Sequence, residues 1–569
     1  MVLTGAVLVG VGTIVHDVLA VRADLLAAES DVSAVRAAAG TGDTSHLGAL
    51  LADLQRRSAD ARSGTRSAGW AAAAALPGAG ASLDRVAALT AIVDDVARTA
   101  VPPLAASLQQ LSGGGLVAAG QIDTAALTGV GERLRTAQVT VAEARRQLAG
   151  LPHDHVLGVV RKGQGQLADG LVQLAGQLDG ARRSVDVAGP LLGADGPRRY
   201  FLALQNPAEA RGTGGLIGTW GIVLADRGRL SLEQTGPENQ LPDLGADVAS
   251  PAAELTTRWA SYGSLRSLRA ANLTADFPSA AAILAEQWTA RTGQHLDGVI
   301  ATDPVAVGRL LAATGPVTLA DGTSVGGDGF AAYVLNGLYL RYPTLAEQGE
   351  RTRLLVQLES AFFTRLQHVA DPGALLGQLL PSVREGRVLL WSSDAALQAT
   401  LAGSELGGGV PTGPGPYAGV SLDNAIGNKT DYWLGRDVRW SSSCTPTGRR
   451  TTLSVTLHDG APASGLPDYV GGAEGVAGTH PAGTDQLLVS LMGSTGARLV
   501  SLTRDGSPAV APQSAERGHP VWASYVTLAP GGSSTLVATW DEPRGGPVHP
   551  LGLSPLVVAP RVTVQMPRC

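Results

Sequence analysis

The sequence predicts a multidomain protein: an N-terminal transmembrane helix with an α-helical bundle or stalk, a central α/β domain, and a C-terminal β-sandwich. Three observations predict it. Helix-like apolar spacing in the N-terminal part gives way abruptly at Arg198–Asp226, RRYFLALQNPAEARGTGGLIGTWGIVLAD, to strand-like runs. Strand-like and helix-like runs then alternate to about residue 405, the order of an α/β sheet with flanking helices. Beyond the Pro/Gly stretch Val410–Tyr417, short β-like runs separated by turn clusters dominate. The boundaries read from these shifts are an anchor at 1–22, a helical part at 23–195, an α/β core at 196–409, a linker at 410–417 and a sandwich at 418–569. With 569 residues and 44% hydrophobic content, the chain is long enough for each part to bury a core of its own.

The first element is the run Val2–Val15, followed by His16, Asp17 and VLAV. Counted through Val21 it has 20 residues, the length that crosses a hydrocarbon core of roughly 30 Å. Asp17 lies near the end of the run, where it reaches headgroups rather than the bilayer centre. A membrane anchor is the expectation. A cleaved signal, with Val18-Leu19-Ala20 as the cleavage site, and a buried helix are the alternatives. Either an anchor or a signal exports everything after Arg22.

The helical part carries steps of three and four between apolar residues. Val18, Val21, Leu25, Ala28, Val32 and Val35 form one seam; Leu127, Val130, Leu134, Ala137, Val141, Ala144 and Leu148 form a second; Leu167, Leu171, Leu174, Leu178, Ala181 and Val185 form a third. Breaks at Leu76-Pro77-Gly78, Val101-Pro102-Pro103, Ser112–Gly115 and Leu151-Pro152 mark turns.

In the α/β part, RYFLALQ reads as a buried strand bounded by Pro207, and Arg229–Glu233 as a further one. Ser279–Thr292 reads as a helix, Asp297–Thr302 as a buried strand, and Pro304 opens a helix ending near Ala313. A long helix is expected from Glu347 to Val369. In the last part, TTLSVTL, QLLVSLM, ARLVSLT, VWASYVTLA, STLVATW and RVTVQM are strand-like. The only two cysteines, Cys444 and Cys569, both fall there without CxxC spacing. A disulfide in an oxidising compartment is the reading, two unrelated buried thiols the alternative.

Charge excludes one class of partner. The net charge is −6, so no global basic field attracts nucleic acid. All but two of the 43 basic residues are Arg, the exceptions being Lys162 and Lys429. There is no P-loop or H-E-x-x-H motif, and Gly212–Gly215 lacks dinucleotide spacing.

Five segments carry a resemblance: QNPAEARGTGG, NLTADFP at Asn272–Pro278, DGVIATDPVAVGRLLAATGPV at Asp297–Val317, LDNAIGNK ending at Lys429, and GLPDYV at Gly465–Val470. Together they resemble the bacterial domain-of-unknown-function family numbered 4012, which implies a membrane-anchored, extracytoplasmic envelope protein of high-GC Gram-positive bacteria. A more distant similarity is to the LytR-CpsA-Psr family, ligases that move glycopolymers from polyprenyl-pyrophosphate carriers to peptidoglycan. The order of strands, the Asn before a helix, the D-x-V-I-A strand and the arginines Arg341, Arg351 and Arg353 match it. Two features depart from it: Gly214 and Gly215 stand where that family has a metal-binding Asp, and LEQTGPE (Leu232–Glu238) stands where it has a Pro-Arg-Asp signature.

The resemblance implies a ligand site in the α/β domain made by Arg211, Arg341, Arg351, Asn272 and Asp276, with planar guanidinium forks on pyrophosphate oxygens. Glu209, Asp276 and Asp303 would hold a Mg²⁺ only if the protein is an enzyme. For Arg211 a salt bridge with Glu209 or another carboxylate is the structural alternative; for Asp303, a place at the start of the helix before Pro304. The expected function is a non-catalytic envelope protein that binds a polyprenyl-linked glycan, a glycopolymer or a protein partner. The alternative is a divergent phosphotransferase that attaches glycopolymer to the wall.

Overall fold

The computed structural model describes residues 47–569 apart from 77, 79, 113–115, 119, 153–155, 320–321, 370, 473–479 and 568. The expected anchor at 1–22 and the seam Val18–Val35 lie outside the described residues. Among the described residues no helix is long and apolar enough to cross a membrane. The chain divides into two compact units, with a boundary between Gly196 and Pro197.

The first unit is helical. Its helices are α1 (Leu47–Gly64), α2 (Ala68–Ala74), α3 (Gly80–Thr99), α4 (Val101–Ser112), α5 (Thr124–Ala149) and α6 (Gly158–Leu191). Asp123 starts α5 by accepting the Ala126 N–H at 2.9 Å, and Pro102 and Pro103 fall in the first turn of α4, where a missing N–H costs nothing. Every residue of the expected α5 seam, Leu127 through Leu148, is buried. It packs on Leu171 and Leu178 of α6 and Ile92 of α3. On α6 the stripe departs from the expected one. Ala181 is exposed, while Val187 and Leu191 are buried, because a straight helix of 3.6 residues per turn drifts away from a strict heptad repeat.

The second unit opens with a mixed sheet of β1 (Arg198–Arg211), β2 (Gly214–Asp226), β3 (Arg229–Pro237), β4 (Gly298–Thr302) and β5 (Val388–Ser392). These lie side by side in the order β3-β2-β1-β4-β5, with β1 and β4 parallel and the other neighbours antiparallel. Flanking helices are α7 (Ala253–Trp259), α8 (Phe277–Thr292), α9 (Pro304–Thr314) and α10 (Gln348–Leu366). Pro207 does not end β1 as the sequence suggests. It sits in a bulge where the pairing jumps from Asn206 to Ala210, so its missing N–H breaks no ladder bond.

Period-2 alternation divides the sheet. Phe201, Ala203, Val299 and Ala301 face α8, where Phe201, Trp220 and Trp288 meet with ring centroids 5.2–6.5 Å apart. Such aromatic pairs add about 0.5–1.5 kcal/mol each beyond their burial. Leu202, Leu204 and Thr302 face the other way, toward α10.

The remaining strands form two sheets. One runs β12 (Gln513–Glu516), β13 (His519–Leu528), β9 (Asp485–Met492), β6 (Gly419–Asn424) and β15 (Gly552–Leu553). The other runs β11 (Ser507–Pro508), β10 (Arg498–Arg504), β14 (Ser533–Pro543), β8 (Gly448–Asp459), β7 (Leu434–Cys444) and β16 (Arg561–Gln565). Alternate residues of both, among them Leu422, Leu487, Val489, Val438, Trp440 and Leu453, make one shared core. A disulfide joins Cys444, at the end of β7, to Cys569, with Cα atoms 5.5 Å apart. Ala210 is buried in this same core, so the β1–β2 hairpin reaches from the α/β sheet into the two β-sheets.

Candidate functional site

The glycine-rich turn after β1 is shaped by close backbone approach. A Cβ on Gly212 would clash with the carbonyl oxygens of Leu273 and Thr274, and one on Gly215 with that of Asn206. Arg211 lies at this junction. Its Nη1 donates to Asn424 O at 2.8 Å and Ala210 O at 2.9 Å, and its Nε to Arg269 O at 3.4 Å. Burial pulls its pKa down, opposed by the charges of Asp423 and Asp431. Asn272 Nδ2 donates to Gly215 O at 2.9 Å and Thr213 Oγ1 at 3.1 Å. Asp276 caps α8 through Ser279 N at 3.2 Å and accepts the Val410 N–H at 2.9 Å. These three residues bind backbone to backbone across the unit.

Two further acids have structural partners. Asp303 caps α9 through Ala306 N at 2.8 Å and pairs with buried Arg387 at 2.6 Å. Glu209 pairs with Lys429, not with Arg211. Arg341 is exposed, with its guanidinium 5.3 Å from the Tyr342 ring centroid. Arg351 is buried and donates through Nη1 to Tyr342 O and, at 2.8 Å, to Thr344 O. Arg211 and Arg351 thus hold different backbone segments, and the structure does not bring Arg211, Arg341 and Arg351 onto one set of partners.

A different constellation surrounds Arg351. Tyr339 and Tyr469 stack with centroids 5.8 Å apart and planes 13° from parallel. The Arg351 guanidinium lies 4.6 Å from the Tyr469 centroid and 5.5 Å from that of Tyr339; the Lys429 ammonium lies 4.8 and 5.1 Å from the same two rings. Desolvated cation–π contacts of this kind contribute about 2 kcal/mol each. Burial pushes Lys429 down to about 7, against the charge of Asp431, while contact with the Glu209 carboxylate favours the charged form. Arg351 Nη2 is buried and has no hydrogen-bond partner among the described residues.

Tyr339 also lines a cavity of about 110 Å³ between β1, β2 and α10. Its walls are mostly apolar: Leu204, Phe330, Val334, Leu355, Leu358 and Phe362. A π-helical turn, Tyr333–Gly337, precedes Tyr339 and supplies Val334 and Leu335 to the wall; such turns cluster at functional sites. At Gly218 an added Cβ would meet nothing within 4 Å, so the strand leaves room there. One acid, Glu359, is in the wall. Its Oε2 accepts the Thr235 hydroxyl at 2.5 Å, and Oε1 is buried with no partner among the described residues. Burial pushes this carboxyl up to about 8, against the Thr235 bond, so it is protonated at neutral pH.

Tyr339, Tyr469, Lys429 and Glu359 were not singled out from sequence, although Lys429 and Tyr469 fall in the quoted segments LDNAIGNK and GLPDYV. The available signal was the rarity of lysine in this chain.

The fold and this cavity define a class: an α/β core fused to a two-sheet β part, with an internal apolar space that shares Tyr339 with an aromatic–cation cluster. Residues 195–339 match the model of a family described as "Protein of unknown function (DUF4012)". The match runs from β1 through Tyr339 and includes Arg211, Asn272 and Asp276; Arg351, Lys429 and Tyr469 lie beyond it. No curated protein matches the chain.

Proposed function

We propose that the chain is a membrane-anchored, extracytoplasmic envelope protein whose α/β core binds an amphiphilic phosphorylated ligand of the polyprenyl-linked glycan type. The carrying observation is that one residue, Tyr339, belongs both to the apolar cavity and to the Arg351–Lys429 cluster. An isoprenoid group suits the cavity and a phosphate suits the buried cations. The space of about 110 Å³ suits one isoprene-sized group, since an apolar cavity of roughly 150 Å³ holds a benzene ring. A longer tail would extend beyond this space.

Calorimetric titration with farnesyl phosphate, farnesol and inorganic phosphate tests the reading. Farnesyl phosphate should bind most tightly. Gly218→Val, at an unpaired bulge position of β2 that lines the cavity and has open space around an added Cβ, should abolish binding while the protein still folds. Equal affinity in the wild type and Gly218→Val, or no binding by the wild type, would sink it. The topological part rests on the apolar run Val2–Val15 and the Cys444–Cys569 disulfide. A reporter fused at the C-terminus should be active only in forms that work outside the cytoplasm.

A further inference from the structure

The sequence LGRDVRW in β7 puts Leu434, Arg436, Val438 and Trp440 on the inward row of its sheet. Three of these are apolar, as a sandwich core requires. The fourth is an arginine, and it is 2% exposed. Its Nη2 donates to Ser554 O at 2.7 Å, while Nε and Nη1 have no hydrogen-bond partner among the described residues. The charge acting on it is another cation, Arg387. That neighbour is fully committed: Nη1 to Asp303 at 2.6 Å, Nη2 to Leu556 O at 2.6 Å and Nε to Glu385 at 2.7 Å. A buried guanidinium without an anion is among the costliest groups a core can contain. It calls for a partner.

Arg436 lines a cleft of about 870 Å³. Its lining includes the small or ring-constrained residues Gly409, Pro411, Gly413, Pro550 and Gly552. His549 also lines it, with Nε2 buried and without a partner among the described residues. The acid nearest in sequence to Arg387, Glu385, is already paired with Arg309 and Arg387. Because β16 begins pairing at Asp437, Arg436 is left beside Ala559 and Pro560 of the cleft wall rather than under a ladder partner on that side.

We propose that this cleft is a binding site for an acidic ligand, which presents a phosphate or carboxylate oxyanion to Arg436 with His549 as a second donor. Nη2 has one N–H on Ser554 O, so its other N–H and the adjacent free nitrogen form a two-point fork of the kind that matches either oxyanion. The site shares no lining residue with the α/β cavity.

Thermal unfolding of the full chain at constant ionic strength tests it, with phosphate, acetate and chloride as the probes. The wild-type melting temperature should rise with the logarithm of phosphate or acetate concentration relative to chloride. A response to phosphate alone identifies a phosphate ligand, and a response to acetate alone a carboxylate. Arg436→Met should lose the response and be at least as stable as the wild type in chloride, because an uncompensated buried charge is replaced by an apolar chain of similar length. If Arg436→Met does not fold, Arg436→Lys serves instead and should bind about 10- to 100-fold more weakly, the range for losing a charge-assisted bond. A wild type indifferent to both anions, or an Arg436 variant that keeps the full response, overturns the proposal.

Discussion

Glu359→Gln should make the protein more stable, and increasingly so as the pH rises. Glu359 lies in the wall of the α/β cavity, 6% exposed, with one oxygen on the Thr235 hydroxyl and the other without a partner among the described residues. Burial lifts its pKa from 4.5 to about 8. The folded value is above the unfolded one, so between these limits the folded protein holds a proton that the unfolded chain has released. The stabilisation linked to this proton is fully present below about pH 4.5 and is lost as the pH rises through 8. A shift of this size corresponds to roughly 5 kcal/mol, at about 1.4 kcal/mol per unit. Gln keeps the shape and the acceptor for Thr235 but never ionises. Urea unfolding of both proteins at pH 4, 6 and 9 should therefore show a gap close to its minimum at pH 4, about 2 kcal/mol larger at pH 6, and several kcal/mol larger at pH 9. A gap that stays constant from pH 4 to pH 9 would refute the buried, protonated state of Glu359.

Cys444→Ser should destabilise the two-sheet part by about 5 kcal/mol, the chain-entropy cost of opening a loop with a sequence separation of 125; denaturant midpoints with and without reductant would check this, and an unchanged midpoint would argue against the bond. Lys429→Met strips Glu209 of its partner inside the unit and should cost about 3–5 kcal/mol. The double variant Lys429→Met/Glu209→Gln should recover much of that loss in the same assay, whereas additive losses would mean that the two groups do not interact.

Periodicity made the helices and most strands legible because each is dictated by which residues must face inward. The α5 seam, the strand ending DGVIAT and the runs QLLVSLM and STLVATW are of this kind. What failed was local punctuation. Pro207 reads as a strand end, yet a bulge accommodates it and β1 continues to Arg211. The site was harder to read for a related reason. An Arg among glycines looks the same whether it holds a phosphate or a carbonyl, and the carbonyls that Arg211 holds belong to Arg269 and Asn424. Asp276 likewise resembles a ligand until Val410 is seen on its second oxygen. Lys429 meets Glu209, and Tyr469 meets Tyr339, only through the packing of the β part on the α/β core. Arg436 did carry a visible signal, an arginine in the inward phase of an alternating strand.

The two proposed sites divide the chemistry between them. The α/β cavity offers apolar walls with cations at one residue of its lining, while the Arg436 cleft is wider and has a buried cation in its wall. On these two proposals an amphiphile would occupy the first and an acidic group the second.

Photolabelling tests the central claim, that the α/β cavity receives an isoprenoid, most directly. A farnesyl phosphate analogue with a diazirine near its apolar end would be irradiated with the full chain and the adducts mapped by peptide mass spectrometry. The account predicts adducts on Phe330, Val334, Leu355 or Phe362, competed by unlabelled farnesyl phosphate and absent in Gly218→Val. Adducts confined to other surfaces, or labelling of the cavity residues that persists in Gly218→Val, would contradict it.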